Sequence, residues 1–214
     1  MLFPFQFGRL RAVLSETGGI AMFRVMLFCA ALLPIAACMP TDEPVSRGEL
    51  PALRWDHRPE ADDWTRATIA ALSSHGLSLP MIVPGDINTY CPAYPKATFA
   101  DRQVFWAGLL STLAKHESTW NPQAVGGGGK WFGLVQIAPA TARGYGCEAR
   151  TGEALKDGEA NLSCAIRILA HTVPRDGVVS QGMRGVAADW GPFHSSRKRA
   201  DMQEWMRAQP YCQG

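Results

Sequence analysis

The chain of 214 residues is long enough for one ordinary domain plus a leader. A hydrophobic content of 47% with 19% charged residues fits a globular protein, and a net charge of +2 argues against a dedicated nucleic-acid binder. The one short basic run, Arg197-Lys198-Arg199, reads as a solvated helix face.

Taken in chain order, the first feature is a targeting segment. Arg24 precedes an apolar run from Val25 to Leu33, and Ile35-Ala36-Ala37-Cys38 follows. A charged residue, a short apolar stretch and small residues before a cut site describe a secretory signal, too short to span a membrane comfortably. The tetrapeptide resembles a bacterial lipoprotein box, which makes residues 1–37 the signal and Cys38 the lipidated anchor. Translation from Met22 suits this signal best, because Met1 to Ala21 adds the acidic Glu16 and a Gly-Gly break. From Met39 to about Leu53 the chain is rich in Pro, Asp, Glu and Ser and reads as a tether, so residues 38–54 join the anchor to a domain over 55–214.

Helical character begins at Asp62 and runs to Ser74, with Trp64, Ala67, Ile69, Ala71 and Leu72 to bury. Pro80 to Lys96 reads as an irregular loop. Arg102 to Glu117 reads as a long helix with Asp101 as N-cap. Steps of four, three and four link Trp106, Leu110, Leu113 and Glu117, so a carboxylate continues the buried stripe. Asn121-Pro122 stops this helix, since the residue before a proline avoids the helical region. A carboxyl at a helix C-terminus on a partly desolvated face has its pKa raised, as a general acid requires.

Four glycines follow, Gly126 to Gly129, which permit unusual backbone conformations and close approach of a ligand to the main chain. Lys130-Trp131 lacks the hydroxyl residue of a phosphate-binding loop. Trp120, Trp131 and Phe132 surround the glycines and suit either sugar faces or a core. Gln136 interrupts the apolar run from Leu134 to Ile137, and its amide must find backbone or substrate partners. Helices are then expected from Pro139 to about Tyr145, from Asn161 to Thr172, over Gly185 to Trp190 and over Ser195 to Arg207. The fold class is all-α, one domain with a short extended segment.

Cys29 falls within the signal, leaving Cys91, Cys147, Cys164 and Cys212, an even number for an oxidising compartment. Three pairings are open to four cysteines. The favoured ones join Cys147 with Cys164, clamping a loop between helices, and Cys91 with Cys212, tying the tail to the start of the domain. No Cys-x-x-Cys pair occurs and the histidines are scattered, so no metal site is expected.

The order Glu117-Ser118, Trp120, Asn121-Pro122, Gly126 to Gly129, Gly133-Leu134-Val135-Gln136-Ile137 and Pro139-Ala140-Thr141-Ala142 resembles the catalytic core of the lytic transglycosylases. These are lysozyme-like enzymes that cut bacterial cell-wall glycan. Asn161 to Leu169 is similar to the family helix behind the cleft. Val186 to Pro192 is similar to the family's Ala-Ala-Tyr-Asn-Ala-Gly-Pro, but the tyrosine is absent and Asp189 or Trp190 stands in its place. The resemblance covers about Phe99 to Phe193. It implies a lysozyme-like fold, Glu117 as the catalytic residue, and Ser118, Gly133, Gln136, Asp189 and Trp190 along the sugar cleft.

The implied reaction cleaves the β-1,4 bond between N-acetylmuramic acid and N-acetylglucosamine and closes a 1,6-anhydro ring, with no metal or cofactor. The implied partner is peptidoglycan, and the implied location is the periplasm, membrane-anchored through Cys38. A hydrolytic lysozyme using Asp189 as second carboxylate, or an envelope lipoprotein that binds glycan without cutting it, are the alternatives.

Overall fold

The computed structural model describes residues 50–213. The signal segment, Cys38 and most of the expected tether lie outside the described residues. Leu53 is buried, and the Arg54 amide donates to Ser111 Oγ at 3.1 Å, so the ordered body already includes the end of the stretch read as tether.

The architecture is helical. The α-helices are α1 (Ala61–Leu72), α2 (Ser78–Met81), α3 (Phe99–Glu117), α4 (Pro139–Gly144), α5 (Gly158–Asp176), α6 (Ser196–Arg207) and α7 (Pro210–Gln213). A two-stranded antiparallel hairpin, β1 (Val125–Gly126) with β2 (Trp131–Phe132), is the extended segment. The stretch expected to be irregular from Pro80 to Lys96 instead holds the end of α2 and two 3-10 turns, Ile87–Thr89 and Tyr94–Lys96. Gly185–Ala188 is likewise a 3-10 turn. Among the described residues, no helix is long and apolar enough to cross a membrane.

The central element is α3. It starts earlier than the sequence suggests, because Thr98 rather than Asp101 is the N-cap. The Thr98 hydroxyl accepts from the Asp101 amide at 3.1 Å and donates to the Asp101 carboxylate at 2.7 Å, a reciprocal cap that adds a turn. Every residue from Phe105 to Ala114 is buried, so the stripe of Trp106, Leu110 and Leu113 is one line on a helix enclosed all round. Ser111 and Thr112 donate their hydroxyls to carbonyls of the preceding turn, which satisfies them in that interior.

The second long helix, α5, runs past the expected end at Thr172. Pro174 within it removes the N–H that would bond Ala170, and the Ser78 hydroxyl donates to the Ala170 carbonyl instead, at 3.2 Å. Gly177, in the left-handed region at φ 69°, closes the helix. Two disulfides brace the body, Cys91–Cys212 and Cys147–Cys164, joining the cysteines paired above.

Candidate active site

Glu117 is the last residue of α3, and the chain turns sharply after it. Ser118 caps the helix, then Thr119 and Trp120 both take positive φ, 54° and 56°. With Gln136 at φ 52°, three of the four non-glycine residues in this region of backbone space among the described residues belong to the candidate site. Such conformations persist only where surrounding bonds hold them. Here the Trp120 indole folds back so that its Nε1–H donates to the Ser111 carbonyl at 2.9 Å, and the ring of His57 packs edge-on at 4.5 Å.

The Glu117 carboxyl is raised from an ordinary 4.5 to about 7 by burial, with the positive charge of Lys198 opposing that rise. Among the described residues no side chain or amide bonds it directly. It is therefore a carboxyl that keeps its proton close to neutrality and leaves its oxygens for a ligand.

The segment from Ala124 to Ile137 is tied to the end of α3 through the next residue, Ser118. The four glycines form a tight hairpin tip: the amides of Gly129 and Lys130 both donate to the Gly126 carbonyl at 3.0 Å. At Gly126 a β-carbon would lie 2.3 Å from the Gln136 side-chain oxygen, so glycine is needed there for the amide to pack. Gly133, at φ 83°, is excluded from carrying any side chain by the Leu155 carbonyl, 2.1 Å from where its β-carbon would stand. It sets the turn rather than touching a ligand through a side chain.

Gln136 spends both amide hydrogens on backbone, donating to the carbonyls of Gly133 at 2.9 Å and Ala124 at 3.2 Å. Its oxygen is the atom left to accept a further hydrogen bond. Ser118 does not hold the glutamate: its hydroxyl donates to the Leu134 carbonyl at 2.7 Å, stapling the end of α3 to the glutamine segment.

Asn161 at the start of α5 fixes the same segment from behind. Its oxygen accepts from the Val135 amide at 3.0 Å, and its amide donates to the carbonyls of Phe132 at 3.0 Å and Leu155 at 2.9 Å. The sequence reading missed this role; a buried asparagine beside an apolar helix face was its one available signal. Trp190 completes the clamp. Its indole is buried and its Nε1–H donates to the Val135 carbonyl at 2.8 Å, so it forms the wall of a small cavity shared with Trp131, Gln136, Ile137, Thr141 and Asp189.

Asp189 is exposed and lies beside Tyr145, whose ring packs against His171 at 5.6 Å. Partial burial pushes its carboxyl up, while Arg175 and the bond from Tyr145 pull it down. Lys198 is the charge that acts on Glu117; the charges acting on Asp189 are Arg175, Asp176 and His171. The two carboxyls are thus separate sites rather than a coupled pair. Among the described residues no cluster of His, Cys, Asp and Glu could hold a metal ion.

This arrangement, a half-buried acid at the end of a central helix that is stapled to a pinned glutamine segment, fits a lysozyme-like domain. Residues 97–181 match the Transglycosylase SLT domain family. The chain is 32% identical to Membrane-bound lytic murein transglycosylase F of Serratia proteamaculans (strain 568) over 104 residues, 48% of this chain and 21% of that protein. It therefore spans about a fifth of the length of that curated relative. A solved point mutant of Bd0314 DslA superposes with a TM-score of 0.69 at 28% identity, covering 78% of this chain and all of that one. A wild-type form of DslA gives a TM-score of 0.65 at 26% identity, with 75% of this chain and 97% of that one covered. The described body thus shares the fold of DslA, and its central part is similar to the SLT domain.

Proposed function

We propose that the protein is a peptidoglycan lytic transglycosylase in which Glu117 is the sole catalytic carboxyl. The observation that carries this reading is the environment of Glu117: burial holds its proton to about 7, and no second carboxylate acts on it. Glu117 gives that proton to the β-1,4 glycosidic oxygen as the bond to C1 of N-acetylmuramic acid breaks. The resulting carboxylate takes the proton of the C6 hydroxyl of the same sugar, and its oxygen bonds to C1, closing the 1,6-anhydro ring. One group serves as acid and then base, so neither water nor a cofactor enters the balance. Gln136 accepts a hydrogen bond from the sugar through its oxygen, and Asp189 and Trp190 form the adjoining wall. Ser118 and Gly133 act by shaping the segment.

The likeness to a membrane-bound murein enzyme supports an envelope location. Export by the segment before Cys38, with lipid attached to that cysteine, tethers the domain to a membrane beside its substrate.

The test is mass spectrometry of fragments released from purified peptidoglycan by the full chain and by Glu117→Gln. Anhydro-muropeptides are expected from the wild type, and at least about a hundredfold less from the mutant. Reducing-end fragments would instead assign hydrolysis, with Asp189 as the next residue to change. Unaltered glycan, bound equally by both proteins, would assign a binding role.

A further inference from the structure

The basic run Arg197-Lys198-Arg199 looks in sequence like one solvated face, but its three members part company in the fold. Arg197 is exposed. Arg199 donates to the Phe193 carbonyl at 2.5 Å and so secures the start of α6. Lys198 lies between them, half-buried, with its amide donating to the N-cap hydroxyl of Ser195.

The placement of α6 against α3 sets the neighbourhood of Lys198. Asp201 of α6 accepts from Lys115 at 2.9 Å and His116 at 2.8 Å, the two residues just before Glu117, and from Arg54 at 2.7 Å and 3.0 Å. Lys198 is three residues earlier on α6 and shares the face of Asp201. It therefore lies one turn along from this cluster, and its charge acts on both His116 and Glu117.

The nearby charges on every packed element are Lys115 and His116 of α3, Asp201 and Lys198 of α6, and Arg54 of the leading segment; His57 lies beyond Trp120. Arg54, Lys115 and His116 are all committed to Asp201. Among the described residues, Lys198 closes no ion pair and Glu117 has no bonded partner. Two opposite charges on packed helices thus act on each other, and neither is engaged in an ion pair elsewhere among the described residues.

We infer that Lys198 is a positioning residue of the reaction, its ammonium stabilising the Glu117 carboxylate left after the proton has gone to the leaving oxygen. This rests on Glu117 being the acid. Burial alone would hold the proton well but make the anion costly; a cation at a distance lowers that cost without displacing the substrate. The same charge readies the carboxylate for its second task as base.

The test titrates the Glu117 carboxyl by NMR in selectively labelled full-length protein, alongside anhydro-product kinetics over pH. Lys198→Met should move the titration upward by about half a pH unit or more, carry the alkaline limb of the rate profile with it, and lower kcat about tenfold with KM little changed. Lys198→Arg should keep titration and rate near the wild type, and so should Arg197→Met. An unmoved titration in Lys198→Met, or an equal shift in Arg197→Met, overturns the inference. Lys198→Gln serves if the methionine variant does not fold. Should no variant, nor the wild type, release product, the proposed activity fails, while the titration still decides whether Lys198 acts on Glu117.

Discussion

At Glu117, burial and a neighbouring cation act in opposite directions, and burial prevails. That balance has a consequence for stability which is independent of catalysis. The folded carboxyl titrates at about 7 against an ordinary 4.5, so between those values the folded chain holds a proton that the unfolded chain has released. Stability contributed this way is full below pH 4.5, falls as pH rises through about 7, and stays lost above it. Glu117→Gln, which cannot ionise, should therefore be more stable than the wild type at pH 8 by roughly 1–2 kcal/mol after solvent screening, or about 3–6 °C in Tm. At pH 4 the two should melt together. Thermal unfolding followed by circular dichroism at both pH values checks this; an equal difference at the two values would mean that the side chain is not desolvated. A site residue that weakens the fold while charged is what a functional acid looks like, and a surface glutamate would show none of it.

Among the elements, the segment around Gln136 depends on bonds from outside itself. Asn161 supplies two of them, to Val135 and Phe132, and a third bond ties it to Leu155; its removal strands the Val135 amide and the Leu155 carbonyl in the interior. Asn161→Ala is expected to cost about 3 kcal/mol and to reduce activity more than stability accounts for, because the glutamine oxygen loses its fixed position. Urea unfolding and kcat/KM measured on the same preparation separate the two effects; full activity in the folded fraction would show that the segment holds its shape unaided. The contrast with what the sequence conveyed is instructive here. Glu117, Gln136 and the glycine hairpin were legible because their chemistry is local: a helix stripe, a polar residue in an apolar run, residues without side chains. Asn161 reaches that same segment from α5, and helix packing alone brings it there. Ser118 shows the limit from the other side. It follows Glu117 directly in sequence, yet its hydroxyl goes to Leu134, a carbonyl brought close only by the fold.

Across the whole molecule, the two disulfides divide the work unequally. Cys147–Cys164 spans 17 residues and ties the turn after α4 to α5, whereas Cys91–Cys212 spans 121 and joins the stretch between the two 3-10 turns before α3 to the last helix described. The long closure also positions a packing contact: Tyr211, next to Cys212, places its ring oxygen where a β-carbon on Gly108 would lie 2.5 Å away, so α7 sits hard against the middle of α3. Chain-entropy reasoning assigns about 5 kcal/mol to the long loop and about 3 kcal/mol to the short one. Replacing Cys91 and Cys212 by serine should therefore lower Tm more than replacing Cys147 and Cys164, and it should loosen α3, the helix that carries Glu117. Hydrogen exchange offers the sharper measurement. Loss of the long bond should speed exchange along α3 from Gly108 onward, while loss of the short bond should act on α4 and the first turns of α5. If both variants instead exchange alike along α3, the tail does not brace that helix and its order comes from the core around Trp106 and Leu110 alone.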